Sequence, residues 1–224
     1  MDLYLDTADV REWKELMPTG LFHGITTNPL LAHRAGLAYP EIDWPALMRQ
    51  ATDLGAKELH CQVVGPVEGF ADWAGERYEQ GRRAGLRVVI KVPLTEPAIR
   101  AMPGIKTLGG PILMTACYSA KQMFVASALG AEYIAPYFGR MLEMGLPAYD
   151  ALEQMRAIGE LAGGKTRILV ASLRDTRQMA LLARQGQDCF TIAPGIARDL
   201  LNDRNTVAAA DEFEEAAGMA KGPA

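Results

Sequence analysis

Apolar and polar positions follow two rhythms along the chain. Short apolar runs rich in β-branched residues, bounded by turn residues, recur at residues 3–5, 24–27, 59–64, 88–92, 112–115, 133–137, 168–172 and 189–193. Runs of that length with little internal polarity predict strands buried on both faces, as in a parallel sheet. Between them, apolar residues stand three or four apart: Phe70, Trp73 and Tyr78 in one segment, Leu152, Met155 and Leu161 in another, Met179 and Leu182 in a third. That spacing builds a helix with one buried face. The punctuation agrees, since Gly163 and Gly164 close one helical pattern, Gly186 closes another, and Pro45 opens a third just after Asp43.

Strand alternating with helix eight times in 224 residues predicts an α/β fold closed into a (β/α)8 TIM barrel, with a C-terminal helical extension. An open doubly wound sheet of flavodoxin or Rossmann type is the alternative. The chain reads as one domain, 1–224, with residues 218–224 a loose tail, and no repeat or low-complexity linker interrupts it.

Composition narrows the function classes. Apolar residues make up 49% of the chain, enough for a substantial core. The net charge of −4 provides no overall basic field for nucleic acid or an anionic membrane surface, which favours small-molecule chemistry. The start, MDLYLDTADV, has neither a basic nor an apolar leader region, and no apolar run approaches membrane-spanning length, so a cytoplasmic protein is expected. Cys61, Cys117 and Cys189 each lie inside an apolar run and read as buried thiols.

In a (β/α)8 barrel the reactive groups gather at the C-terminal ends of the strands. Polar residues stand there in this sequence: Asp6 after the first run, Thr26, Thr27 and Asn28 at the second, Gln62 in the third, Lys91 in the fourth, then Thr115, Tyr137 and Ser172. In RVVIKVPL a single ammonium sits within an otherwise apolar strand, where desolvation should depress its pKa. A neutral amine is the nucleophile that forms a Schiff base with a ketone or aldehyde. The alternative for Lys91 is a side chain reaching solvent and pairing with a carboxylate such as Asp6. Asp6 has its own alternative as an N-cap of the first helix, and Asn28 before Pro29 as a turn initiator. Arg140 and Arg174 follow the late strands, where barrels often hold phosphate; each alone could be a solvated loop charge.

Residues 159–166, GELAGGKT, match the G-x-x-x-x-G-K-[ST] phosphate loop of ATPases and GTPases. That loop works only between a preceding strand and a following helix. Here a helical segment precedes it and a strand follows, so a helix C-cap is expected. His23, His33 and His60 lack ligand spacing, so no metal and no cofactor are expected.

The segments LYLDTAD, GITTNP, VVIKVPLT, TACY, EYIAPYFGR and ILVASLR together resemble the small transaldolase and fructose-6-phosphate aldolase family, in order and at similar spacing from Met1 to the last helical segment. The resemblance implies a Schiff-base lysine at Lys91 and a proton-transferring carboxylate at Asp6. It implies contacts from Thr26, Asn28 and Ser172 to the bound ketose, and from Arg140 and Arg174 to its phosphate. Gln62 and Tyr137, where transaldolases carry glutamate and phenylalanine, resemble the aldolase branch, in which the tyrosine and a water held by glutamine and threonine, here Thr115, handle protons. The implied activity is reversible cleavage of fructose 6-phosphate to dihydroxyacetone and glyceraldehyde 3-phosphate. The alternatives are transaldolase, transferring the same unit between sugars, and a catalytically idle sugar-phosphate-binding barrel. Homo-oligomers, pentamers or decamers, are also implied, with the segment around residues 208–217 a candidate for subunit contacts. Three departures bear on acceptor preference: Gly139 for the usual asparagine, Leu30 for serine, and Met114 for a small residue.

Overall fold

All eight apolar runs form strands in the computed structural model, which describes residues 1–219. In chain order the elements are β1 (Asp2–Asp6), α1 (Val10–Leu16), β2 (Gly24–Thr26), α2 (Pro29–Arg34), α3 (Trp44–Asp53), β3 (Glu58–Gln62), α4 (Phe70–Ala84) and β4 (Arg87–Pro93). There follow α5 (Glu96–Lys106), β5 (Ile112–Cys117), α6 (Lys121–Leu129), β6 (Tyr133–Pro136), α7 (Phe138–Glu143) and α8 (Ala148–Leu161). The last are β7 (Arg167–Ile168), α9 (Thr176–Arg184), β8 (Cys189–Ile192), α10 (Pro194–Leu201) and α11 (Arg204–Ala216). The strands pair in parallel in the order β7-β6-β5-β4-β3-β2-β1-β8, and a parallel bridge between Val170 and Phe190 joins the two edges. The fold is therefore a (β/α)8 TIM barrel, and an open sheet is ruled out by that closure. The helix α11 is the C-terminal extension; of the expected tail, residues 220–224 lie outside the described residues.

Side-chain alternation sorts the strands into two shells. Tyr4, Val89, Leu113, Tyr133, Leu169 and Cys189 pack together inside the barrel, while Leu5, Val88, Ile90 and Val92 point outward into the helix layer beside Trp13, Met48 and Met102. A period of two does this automatically, because neighbours along a strand face opposite sides of the sheet. Helix starts are fixed by side-chain caps: Asp9 on α1, Asn28 on α2, Asp43 on α3 and Asp175 on α9 each accept from a backbone N–H of the first turn. The cap of α1 is thus Asp9, which leaves Asp6 free of the capping role open to it in the sequence.

The strand expected at 168–172 is regular only over Arg167–Ile168. Ala171 and Val170 continue it as single bridges to Tyr137 and Phe190, because this segment serves both neighbours at the closing seam. It then turns sharply at Ser172, whose φ of 65° lies in the left-handed region. The phosphate-loop match resolves as expected. α8 runs through Gly159, Gly163 and Gly164 adopt φ of 93° and 67°, and the Gly164 N–H donates to the Gly159 carbonyl at 2.8 Å. A helix end of that form presents carbonyls, not a cradle of N–H groups.

The N-terminal end of the barrel is closed by a buried polar network. Glu58 accepts hydrogen bonds from the Tyr4 hydroxyl at 2.9 Å, from His60 Nε2 at 2.8 Å and from Arg87, which also bridges to Glu132. Burial alone would raise the Glu58 carboxyl; the bonds from His60, Arg87 and Tyr4 outweigh it and bring the pKa down from 4.5 to about 2. Burial lowers the pKa of His60, so the ring is neutral and donates its Nε2 proton. A carboxyl depressed in the folded state stabilises fully above its unfolded pKa, and that stability fades as pH falls through the folded value. The contribution of Glu58, about 3 kcal/mol at ~1.4 kcal/mol per pH unit, should therefore be lost between roughly pH 4.5 and 2. Urea denaturation of Glu58→Gln should show lower stability at pH 7 and a flatter decline from pH 5 to 3. An acid limb as steep as in the unsubstituted protein would remove Glu58 from this role.

Candidate active site

At the C-terminal ends of the strands lies a cavity of about 310 Å³, at the lower end of the ~300–1,000 Å³ range of small-ligand pockets. Its walls include Asp6, Thr26, Asn28, Lys91, Tyr137, Arg140, Ser172 and Arg174. The barrel thus brings together, around one space, residues as far apart along the chain as Asp6 and Ala193.

Lys91 forms part of the cavity floor. Alternation along β4 turns it inward, one layer above Val89, and leaves it 5% exposed. Its Nζ donates to the Thr27 carbonyl at 2.8 Å, and it forms no ion pair among the described residues. Burial lowers its pKa from the ordinary 10.5, against the opposing attraction of Asp6. The alternative of a side chain reaching bulk solvent and pairing with a carboxylate does not hold, because Lys91 is buried at the cavity floor and bonds the Thr27 carbonyl.

Asp6 ends β1 beside β2, with which it is in register at Thr26. The Thr26 hydroxyl donates to Asp6 Oδ1 at 2.6 Å and makes a second short contact with the Thr191 hydroxyl. The carboxylate is thereby held by a chain of two buried hydroxyls. Asn28 spends its Oδ1 on the N-cap bond from the Leu31 N–H at 3.0 Å and at the same time lines the cavity.

The Tyr137 hydroxyl meets the Thr115 hydroxyl at 3.2 Å, and burial raises its pKa, so the phenol keeps its proton at neutral pH. Arg140 lies over the Tyr137 ring, its guanidinium carbon 4.8 Å from the centroid, which orders both groups. Thr115 stands behind Tyr137 and does not line the cavity. Neither does Gln62, although it is in register with Lys91. Its backbone N–H and carbonyl are both bonded to the Tyr39 hydroxyl, and its side chain makes no protein hydrogen bond among the described residues.

Ser172 and Arg174 form one unit. The Arg174 Nη1 donates to the Ser172 carbonyl at 2.7 Å and hydroxyl at 3.1 Å, and its Nε donates to Glu143 at 2.7 Å. Gly139 makes this possible: its N–H donates to the same Ser172 carbonyl at 3.0 Å, and a Cβ there would lie 2.0 Å from that oxygen and 3.1 Å from Arg174 Nη1. The glycine in place of asparagine therefore follows from the close approach of α7 to the Ser172 turn. Leu30 lines the cavity, but Met114 packs in the outer shell against the helices and does not reach it.

Beside the Lys91 amine the cavity walls carry three guanidinium cations, Arg34, Arg140 and Arg174, against a single carboxylate among the described residues, Asp6. In a chain of net charge −4 that concentration marks a site for an anion. Two polar wall residues escape the sequence reading. Thr191 sits mid-strand and was legible only through the alternation of Cys189, Thr191 and Ala193. Arg34 was legible only through its helical spacing from Leu30 and Leu31.

Residues 3–221 match the family described as transaldolase/fructose-6-phosphate aldolase. A probable transaldolase of Phenylobacterium zucineum is 34% identical over 220 residues, covering 95% of this chain and 94% of that protein. A probable transaldolase of Chelativorans sp. is 32% identical over 208 residues, 90% of this chain and 89% of that protein. Among solved structures, a thiamine phosphate pyrophosphorylase from Pyrococcus furiosus aligns with a TM-score of 0.58 at 11% identity, over 88% of this chain and 87% of that one. A mandelate oxidase aligns with a TM-score of 0.60 at 13% identity, over 87% of this chain and 65% of that one. These last two likenesses concern the fold alone.

Proposed function

This chain belongs to the transaldolase/fructose-6-phosphate aldolase family, and from that premise we propose that it is a class I aldolase cleaving fructose 6-phosphate through a Schiff base on Lys91. The observation that carries the reading is the desolvated amine of Lys91 at the floor of a cavity whose mouth is cationic. Burial favours the unprotonated form that attacks a carbonyl, and the arginines match a phosphorylated substrate.

In this scheme the Lys91 amine adds to C2 of the ketose and water leaves, giving an iminium. The C4 hydroxyl loses its proton to Asp6, the C3–C4 bond breaks, and its electron pair moves into the iminium to form an enamine. Glyceraldehyde 3-phosphate departs. A proton delivered to C3 through the Tyr137 hydroxyl and a water regenerates the iminium, and hydrolysis consumes one water to free dihydroxyacetone and Lys91. Arg140 and Arg174, with Ser172, hold the phosphate; Thr26 and Asn28 hold the donor hydroxyls.

Transaldolase is the second reading, favoured by the names of the relatives. The two differ in whether the enamine is protonated or waits for an aldehyde, and the Tyr137–Thr115 hydroxyl pair supports protonation. Fructose 6-phosphate supplied without any acceptor aldehyde should give sustained release of free dihydroxyacetone over many turnovers. Release limited to about one equivalent per active site, with rapid turnover once an acceptor aldehyde is added, would establish transaldolase instead.

A further inference from the structure

Arg34 lines the cavity, yet the reaction outlined above gives it nothing to do. Arg174 is neutralised by Glu143, whereas Arg34 has no carboxylate partner among the described residues. Its place in the fold is opposite the other two arginines. α2 follows β2, α7 follows β6, and in the closed ring β2 and β6 are separated by β3, β4 and β5 on one side and by β1, β8 and β7 on the other. Arg140 and the Ser172–Arg174 turn therefore stand on one side of the mouth, and Arg34 faces them from across it.

The helix directs Arg34 inward. Leu30, Leu31 and Arg34 share one face of α2, at spacings of three and four residues, and all of them line the cavity. Helical Cα–Cβ bonds tilt toward the helix N-terminus, so the long Arg34 side chain runs back along α2 toward the strand ends. Arg34 is exposed, and its fork of donors has no hydrogen-bond partner among the described residues.

A ketose bound to Lys91 through C2 has two arms that diverge from a planar carbon. If one leads to Arg140 and Arg174, the other points to the opposite wall, which α2 supplies. A bare hydroxymethyl arm is served by Asn28 at the start of that helix and makes no use of a cation. We propose that Arg34 receives a second anionic group on this arm, so that the site takes ketoses bearing phosphate at both ends. The placement of the two arms rests on the Lys91 reading; the opposed cations do not. With such a substrate, cleavage of the same C3–C4 bond would release dihydroxyacetone phosphate in place of dihydroxyacetone.

The test uses ligands that cannot form an imine. Hexitol 1,6-bisphosphate and hexitol 6-phosphate lack a carbonyl, and their binding to the intact protein can be compared by calorimetry at one fixed ionic strength. The protein should bind the bisphosphate at least about tenfold more tightly than the monophosphate, the gain expected of one charge-assisted contact. Arg34→Gln should cut bisphosphate affinity by about tenfold and monophosphate affinity by less than about threefold, Arg34→Lys should recover part of the loss, and Arg140→Gln should weaken both ligands. Arg34 is exposed, so the variant should unfold at the same temperature as the parent. Equal affinity for the two ligands, or an Arg34→Gln effect equal on both, would overturn the proposal. Borohydride trapping of Lys91 with dihydroxyacetone, run in parallel, reads the imine separately: trapping without an Arg34 effect defeats this inference alone, and an Arg34 effect without trapping defeats the aldolase reading alone.

Discussion

Lys91→Met is expected to abolish borohydride trapping with fructose 6-phosphate and to lower kcat by at least about 10⁴-fold, the order of losing a covalent nucleophile. Methionine keeps the volume and apolar stem, so the cavity floor is preserved while the amine is removed. The same substitution should not weaken the fold. The Lys91 pKa is depressed by burial, so between the folded value and the ordinary 10.5 the unfolded chain holds the proton more tightly than the folded one. Folding stability from this group therefore rises as pH climbs through that window and is least below it. The variant lacks that cost, and against it stands only the lost donor to the Thr27 carbonyl. Thermal unfolding at pH 7 should occur at or above the parent's temperature, and the stability gap should narrow at alkaline pH. Residual trapping assigned by mass spectrometry to another lysine would end the claim for Lys91. An inactive variant that also unfolds several degrees lower would trace the lost activity to misfolding.

Tyr137→Phe is the second large effect. General acid–base groups contribute about 10²–10⁴-fold, so free dihydroxyacetone release should fall by roughly 10² or more. Imine formation on Lys91 should change far less, since the phenol sits with Thr115 and not against the amine. The readouts are released dihydroxyacetone and borohydride-trapped Lys91, measured on the same preparation. The substitution also leaves the Thr115 hydroxyl without its partner and keeps the ring beneath Arg140. If acceptor aldehydes restore turnover in the variant, the enamine is intact and only its protonation is impaired. Equal loss of trapping and release would show that Tyr137 supports the site as a whole and does not handle this proton.

The departures from the family pattern show how much a residue's type leaves undecided. Gly139, Leu30 and Met114 look equivalent in sequence, as three unusual residues near reactive motifs. The fold separates them. Leu30 is at the cavity wall; Gly139 acts by absence, admitting the Ser172 carbonyl and the Arg174 guanidinium; Met114 faces the helix layer and bears on packing alone. Asp6 behaves similarly. Its motif suits a helix cap, but Asp9 takes that role, and Asp6 is bound by Thr26 across the β1–β2 pairing. The alternatives for Lys91 part on burial, which depends on neighbours many residues distant.

The features legible along the chain are periodic and local. Strand runs, helix faces, caps and glycine stops depend on residues within a turn or two of one another, so eight strands and the barrel they close could be read directly. So could the direction of the 159–166 segment, because a helix before it and a strand after it settle which backbone groups point outward. Which polar residues meet depends on the closed ring. Thr191 joins Thr26 and Asp6 because β8 lies beside β1, and Arg34 faces Arg140 because β2 and β6 stand half a ring apart. Gln62 ends its strand as expected and Thr115 lies two residues before the end of β5, yet both stay outside the cavity wall. The physical reason is that strand register and ring closure set these distances through contacts separated by tens to more than a hundred residues. No local pattern encodes them.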